Sequence, residues 1–286
     1  MGYNVVCIIV TYNRKALLRQ CLDAVAMQSY RPFTVYVVDN ASTDDTMSSV
    51  EEWGYYNTKR NDIEYKYILN SRNEGGAGGF CLGLKTAFEK GEYDFYWLMD
   101  DDGVPTLNCL EVLMSHIDKY DYLSPLVVDT VDETLTSFMG VTVADLLKRE
   151  VNGIIENECN PFNGVLFSRK LVEKVGFPKK EMFIWGDEIN YNIRMRQAGF
   201  VPAMVADAIF KHPMNRQQLD TYLGNRTCVV SESNLKLFCM LRNMIYNYRI
   251  SMPFVSALGM TIKQAAIYNL YFLKKRNLQK IFLINR

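Results

Sequence analysis

The 286-residue chain has no net charge, since 32 Lys and Arg balance 32 Asp and Glu. It therefore lacks the overall basic surplus on which nucleic-acid binding rests, and no nucleic-acid partner is expected. Histidine is scarce: His116 and His212 stand too far apart for a zinc motif. The seven cysteines form no C-x-x-C pair, and an odd count in a chain of this size reads as reduced thiols of a cytoplasmic protein. No secretory leader is recognisable, because residues 5–10 are a short apolar run without a cleavage site. Long apolar runs are nearly absent. Residues 250–273 carry one charge, Lys263, and just reach the length of a bilayer, but Pro253, Ser256, Gln264 and Asn269 argue against a lipid-exposed span. Internal repeats and low-complexity tracts are missing too.

What is present is an acidic triplet in an unusual place. The apolar run Phe95-Tyr96-Trp97-Leu98-Met99 ends in Asp100-Asp101-Asp102-Gly103. Three like charges beside a buried strand repel one another unless a cation sits among them. Mg²⁺ or Mn²⁺ bound to the phosphates of a substrate suits such a site, because these ions take one or two protein carboxylates plus phosphate oxygens. A solvated acidic turn is the alternative.

The periodicity around the triplet favours the first reading. Residues 5–10, 34–38, 65–69 and 94–99 read as buried strands. Residues 14–27, 46–53 and 79–90 read as helices, the first with apolar residues at 17, 18, 21, 22 and 25, the second capped by Ser42-Thr43-Asp44, the third opened by glycines. This alternation specifies an α/β fold, a doubly wound and mainly parallel sheet flanked by helices. Ligands of such sheets bind beyond the carboxyl ends of the strands. Three polar clusters fall there: Thr11-Tyr12-Asn13, Asp39-Asn40-Ala41-Ser42 and Asp100-Asp101-Asp102. Further along, residues 122–128, 164–167 and 201–205 are strand candidates, residues 188–198 a helix, and the region past Ser233 helical.

Residues 70–80, Asn-Ser-Arg-Asn-Glu-Gly-Gly-Ala-Gly-Gly-Phe, follow the third strand. The glycines permit close backbone approach to a ligand, and a helix start suits phosphate. The segment is neither a dinucleotide fingerprint, for Cys81 stands where its third glycine belongs, nor a Walker loop. A plain tight turn is the competing reading.

Five segments occur in an order that resembles family 2 glycosyltransferases of GT-A fold. They are Ile8-Ile9-Val10-Thr11-Tyr12-Asn13-Arg14, Val37-Val38-Asp39-Asn40-Ala41-Ser42-Thr43-Asp44, the glycine segment from Asn73 to Phe80, the aspartate triplet, and Trp185-Gly186-Asp187-Glu188. The resemblance spans about residues 4–215 and is nearest the galactofuranosyl- and rhamnosyltransferase-like branch. It implies an inverting, metal-dependent transfer of a sugar, galactofuranose from UDP-galactofuranose first and rhamnose from dTDP-rhamnose second, onto a growing cell-surface glycan or lipid-linked glycan. By resemblance, Thr11, Asp39 and Asn40 hold the nucleoside, and Arg72, Asn73, Gly75, Gly76 and Gly78 approach the nucleotide or diphosphate. Asp100 and Asp101 stand at the donor, and Asp100, Asp102 and His212 hold Mg²⁺ or Mn²⁺. The general base is Glu188, with Asp187 a close rival, because the family usually has Glu-Asp or Asp-Asp at these positions. Trp185 is an apolar platform for the acceptor sugar.

The neutral total hides an asymmetry. Residues 220–286 hold ten Lys and Arg against two acids, a net +8, so the preceding part carries −8. We therefore expect a catalytic nucleotide-sugar domain over residues 1–219 and a basic, aromatic helical extension over 220–286. Tyr246, Tyr248, Tyr268, Tyr271 and Phe272 beside Lys274-Lys275-Arg276 suit the cytoplasmic face of an anionic membrane. Packing on the catalytic domain or on a second copy of the chain suits the same residues equally. Two rivals stand outside this reading. A nucleotidyltransferase also uses a metal-binding acidic pair, but a glycine-rich basic loop would follow its first strand in place of Thr11-Tyr12-Asn13. A glycan-binding module would not need five polar clusters at strand ends.

Overall fold

The computed structural model describes residues 2–214 and 218–277. The first strand, β1 (Val5–Thr11), is buried along its whole length. Its alternate residues enter two different cores: Val5, Cys7 and Ile9 face one side of the sheet, Val6, Ile8 and Val10 the other. That two-sided burial is why its sequence is continuously apolar. Each such side chain contributes about 1.5–3 kcal/mol of transfer free energy. Helix α1 (Lys15–Ala26) presses Leu18, Cys21, Leu22 and Val25 onto the first core, while Leu17, expected on that face, is turned to solvent. Strand β2 (Thr34–Asp39) runs parallel to β1.

Helix α2 (Thr46–Glu52) forms as expected but without a side-chain cap from residues 42–44. These residues are tied to the first strand's loop instead: Asn13 Oδ1 accepts from the backbone amides of Thr43 and Asp44, and Ser42 Oγ accepts from that of Asn13. A short strand that periodicity did not reveal, β3 (Thr58–Arg60), pairs antiparallel with β4 (Ile63–Leu69). Helix α3 runs from Gly75 to Lys90, so the glycine run is its first turn and not a loop before it. A Cβ on Gly79 would lie 2.4 Å from Val10 Cγ1 and one on Gly83 2.6 Å from Ile8 Cγ2. These two glycines, a turn apart, let the helix lie directly on β1.

Strand β5 (Phe95–Asp100) lies on the other side of β1. Strands β4, β2, β1 and β5 are consecutive and parallel, which is the doubly wound arrangement. The sheet continues through β6 (Val104–Pro105), helix α4 (Cys109–Met114), β7 (Tyr122–Asp129), α5 (Val143–Leu147), β8 (Ile154–Glu156) and β9 (Val165–Ser168). Strand β9 joins β5 to β7 by antiparallel pairing. Helix α6 (Arg169–Val175), a 3₁₀ turn over Lys180–Met182 and helix α7 (Asp187–Gln197) then lead to β10. That strand, Ala203–His212, is longer than its apolar pattern 201–205 suggested, because it continues parallel to β7 past a bulge between Val205 and Ile209. Most paired residues lie in parallel ladders, as the expected fold class requires.

The remaining elements have their own core. Strands β11 (Gln218–Leu223) and β12 (Arg226–Val230) form a separate hairpin, and helices α8 (Asn234–Ser251) and α9 (Phe254–Lys274) pack against it. Cys228, Leu237, Leu241, Tyr268, Tyr271 and Phe272 are buried together there. The boundary expected between residues 219 and 220 falls inside β11. The end of the expected extension, residues 278–286, lies outside the described residues.

Candidate active site

The strand ends converge on one cavity of about 620 Å³. Register brings them together: Thr11 is paired with Asp39 across β1 and β2, and Val10 with Asp100 across β1 and β5. Thr11, Asn40, Asn73, Gly75, Gly76, Asp100, Asp101, Asp102, Trp185, Asp187, Glu188 and His212 line the cavity. Asp39, Arg72 and Gly78 do not. Asp39 is buried, its Oδ1 accepting from the Ser42 amide at 2.8 Å and its Oδ2 from the Tyr67 hydroxyl. Arg72 is exposed and forks onto Glu74. Gly78 packs inside α3 against Glu74.

The triplet divides into three roles. Asp101 is tied down: Thr11 Oγ1 donates to its Oδ2 at 2.7 Å, and Arg14 Nη1 lies 3.3 Å from its Oδ1. Burial pushes its carboxyl up to about 6, against the pull of Thr11 and Arg14. Asp102 meets Arg14 Nη1 at 2.8 Å through Oδ2 and His212 Nε2 at 3.0 Å through Oδ1. Burial opposes its ionisation, but His212 and Arg14 outweigh that and hold it below the ordinary carboxylate range. Asp100 has no such cation against it; burial and the charges of Asp102 and Asp101 push it up to about 7. Sequence reasoning missed Arg14, which provides internal compensation for the triplet. Its position directly after the first strand's polar cluster was the available signal.

These residues fit a divalent cation. Asp102 Oδ1 is buried yet has no aligned hydrogen bond, although His212 Nε2 is within contact distance. The other ring nitrogen, Nδ1, lies 2.6 Å from the Pro213 carbonyl, which can only accept, so Nδ1 carries a proton. Nε2 must then hold a second proton or a metal to face a carboxylate favourably. Among the described residues no three His, Cys, Asp or Glu side chains are gathered around one point as a metal cluster. Asp102 and His212 form the close pair, and the expected trio with Asp100 is not assembled.

Asp187 and Glu188, which line the same cavity, open α7, where negative charge is favoured. Asp187 is 6% exposed. Burial first, then the Glu188 charge, raises its carboxyl well above the ordinary value, so it holds a proton more readily than a solvated aspartate. Trp185 and Gly186 before them are left-handed, at φ 61° and 96°. Two further lining groups were not foreseen. Asn163 Oδ1 is buried and unpartnered, and Ser233 with Lys236 brings the start of α8 to the cavity, with Lys236 Nζ 5.8 Å from the Trp185 ring centroid.

The sequence model of glycosyl transferase family 2 matches residues 6–175. The chain belongs to that family. It is 30% identical over 265 residues to "Galactofuranosyltransferase GlfT1" of Mycolicibacterium smegmatis, an alignment spanning 87% of this chain and 84% of that protein. Among solved structures, a mannosyltransferase of Pyrobaculum calidifontis in complex with GDP-Man and Mn²⁺ superposes with TM-score 0.58 at 17% identity, over 100% of this chain and 74% of that one. TarS 1–349 of S. aureus in complex with UDP-GlcNAc gives TM-score 0.57 at 16% identity, over 94% and 72%. The protein is therefore a glycosyltransferase with the GT-A fold. Its strand-end cavity is the candidate active site, and the nucleotidyltransferase and glycan-binding alternatives fall away.

Proposed function

We propose that the protein is an inverting galactofuranosyltransferase that takes its sugar from UDP-galactofuranose and delivers it to a glycan acceptor. The observation that carries this reading is the pairing of 30% identity to a galactofuranosyltransferase over most of both chains with a cavity lined by both a carboxylate pair and an aspartate triplet. Thr11 and Asn40 would contact the nucleoside directly, and Asp39 would act beneath them through Ser42 and Tyr67. Asn73, Gly75 and Gly76 would approach the diphosphate at the start of α3, with Arg72 and Gly78 outside direct reach.

Asp102 and His212 would hold Mg²⁺ or Mn²⁺, with Asp100 and Asp101 as the surrounding charge; the ion supplies Lewis-acid stabilisation of the departing diphosphate. Glu188, at the second position of its pair, would take the proton from an acceptor hydroxyl. That oxygen attacks the anomeric carbon from the face opposite the diphosphate, the bond to the diphosphate oxygen breaks, and UDP departs with its electron pair. Trp185 would carry the acceptor ring.

The acceptor would be lipid-linked. Phe254, Val255, Leu258, Ile262, Leu270 and Leu273 are exposed along α9, which ends at Lys274, Lys275 and Arg276. An anionic leaflet matches both the apolar stripe and the +8 of the extension. Among the described residues no helix is long and apolar enough to cross a membrane. Incubating the protein with Mn²⁺, alkyl glycosides and a panel of sugar nucleotides tests the function. UDP-galactofuranose should be consumed fastest; preference for dTDP-rhamnose would transfer the reading to the rhamnosyl branch. Anionic vesicles should sediment the protein at low salt and release it at high salt, and no sedimentation would leave the stripe to a second copy.

A further inference from the structure

The loop that presents Trp185 and the carboxylate pair does not hold its own shape. Within four residues it places Phe183, Trp185 and Gly186 at φ 66°, 61° and 96°. Aromatic side chains rarely occupy that region, and such backbone persists only where its surroundings over-determine it. The surroundings here come from α8. Asn243 Nδ2 lies within donating distance of three carbonyls of this loop, Met182 O at 2.9 Å, Ile184 O at 3.2 Å and Trp185 O at 2.7 Å. Arg242 fixes the orientation of that amide by donating to Asn243 Oδ1, and its Nη2 also donates to Glu181 O at 2.7 Å and Met182 O at 2.9 Å. One turn on, Asn247 Nδ2 donates to Gly186 O at 2.9 Å, and its Oδ1 accepts from Asn190 of α7 at 3.0 Å. Asn243, Asn247 and Asn190 are 1%, 5% and 0% exposed, so water does not substitute for these bonds. From the other side, the Phe183 carbonyl accepts from Ala77, and a Cβ on Gly75 would lie 2.0 Å from that oxygen.

We infer that Asn243 and Asn247, oriented by Arg242 and Asn190, are positioning residues for transfer: they clamp residues 182–186 so that Trp185 and the Asp187–Glu188 pair face the strand-end triplet. The inference rests on the proposed roles of that pair and of Trp185. It makes α8 part of the catalytic unit, although none of these four side chains lines the cavity. It also explains why the start of the same helix reaches the cavity through Ser233 and Lys236.

Asn243→Ala tests it in the full chain, using UDP-galactofuranose and whichever alkyl glycoside the wild type glycosylates. Displacement of the loop should lower kcat about 30-fold or more, since a shift on the order of 1 Å in a catalytic group costs about 10²-fold. UDP affinity should stay within about twofold by calorimetry, because strand-end contacts are untouched. Amide hydrogen exchange should quicken over residues 183–188 and not in β1 or β5. Added to Glu188→Gln, the substitution should cost far less than it does alone, as expected for groups acting as a unit. Transfer within about threefold of wild type, or unchanged exchange at 183–188, overturns the inference. If Glu188→Gln and Asp187→Asn both leave kcat unchanged while Asn243→Ala lowers it, the base assignment fails and the clamp stands through Trp185. Should Asn243→Ala not fold, Asn243→Ser, which keeps a donor, and Asn247→Ala are read in the same way.

Discussion

The strand-end wall of the cavity is shaped by the register of adjacent strands, whereas the other wall is shaped by side chains of a later helix, 57 to 61 positions further along the chain. On the first, Thr11, Asp39 and Asp100 occupy the ends of parallel strands whose register alone aligns them. On the second, a short loop in left-handed backbone takes its shape from buried asparagines of α8. A site of this kind has one half fixed by the sheet and one half fixed by docking of a later helix. The first half should respond to charge, the second to geometry.

The largest effect expected is on the strand-end side. Asp102→Asn removes the carboxylate charge that lies between His212 and Arg14. Transfer should fall to about 1% or less, because a divalent ion held there to stabilise the leaving diphosphate would lose a charged ligand. Circular dichroism should remain that of the wild type, since the residue lies in the turn after β5. Chelation should reproduce the loss in the unmodified protein. Full activity of both the variant and the chelated enzyme would remove the ion from the mechanism.

On the opposite wall the pair should split. Glu188→Gln should lower kcat about 10²-fold with UDP affinity unchanged, because the proposed base would act only on the acceptor hydroxyl. Asp187→Asn should cost less, since burial already keeps that carboxyl protonated more readily. The reverse ranking would move the base one residue back and would mean that acceptor binding expels the proton from Asp187.

Asp39→Ala sharpens the strand-end side. It should weaken UDP about tenfold, or about 1.4 kcal/mol. Asp39 does not line the cavity, so the effect should pass through the Ser42 amide and the Tyr67 hydroxyl that it accepts from. Tyr67→Phe, which removes one of those two bonds, should give a smaller loss in the same titration. Unchanged UDP affinity in both variants would take Asp39 out of nucleotide binding.

Sequence reading reached the two walls unequally for the same physical reason. Buried parallel strands announce themselves as apolar runs, and their polar ends mark where a ligand sits, so Thr11, Asn40 and Asp100–Asp102 could be located before any coordinates. Arg14 escaped because one exposed-looking cation after a strand has many uses, and only the distances to Asp101 and Asp102 select one. The early start of α3 was hidden because glycine has poor helix propensity; its packing on Val10, Ile8 and Phe183 overrides that preference. Strand β3 is three residues long, too short for an alternation to show. Nothing local to residues 241–248 says that the partners of Arg242 and Asn243 are carbonyls of residues 181–185.

The smallest effect expected is on stability, and it distinguishes the walls by pH. The Asp187 carboxyl is raised well above its ordinary value in the folded protein, first by burial and then by Glu188. In the unfolded chain it titrates near about 3.9. Between that value and the folded one, the unfolded chain has released a proton that the folded chain still holds, so folding becomes less favourable as pH rises through the window. Asp187→Asn deletes this contribution while keeping the side chain's size. Asp100 and Asp101, also raised, contribute slopes of the same sign, but they are present in both proteins and cancel in the difference. Thermal scans from pH 4 to 8 should therefore show the variant's Tm advantage growing with pH, each kcal/mol being worth about 2–4 °C in a chain of this class. Parallel curves would mean that Asp187 is ionised in the folded protein throughout, and the division of labour between it and Glu188 would then have to be reversed.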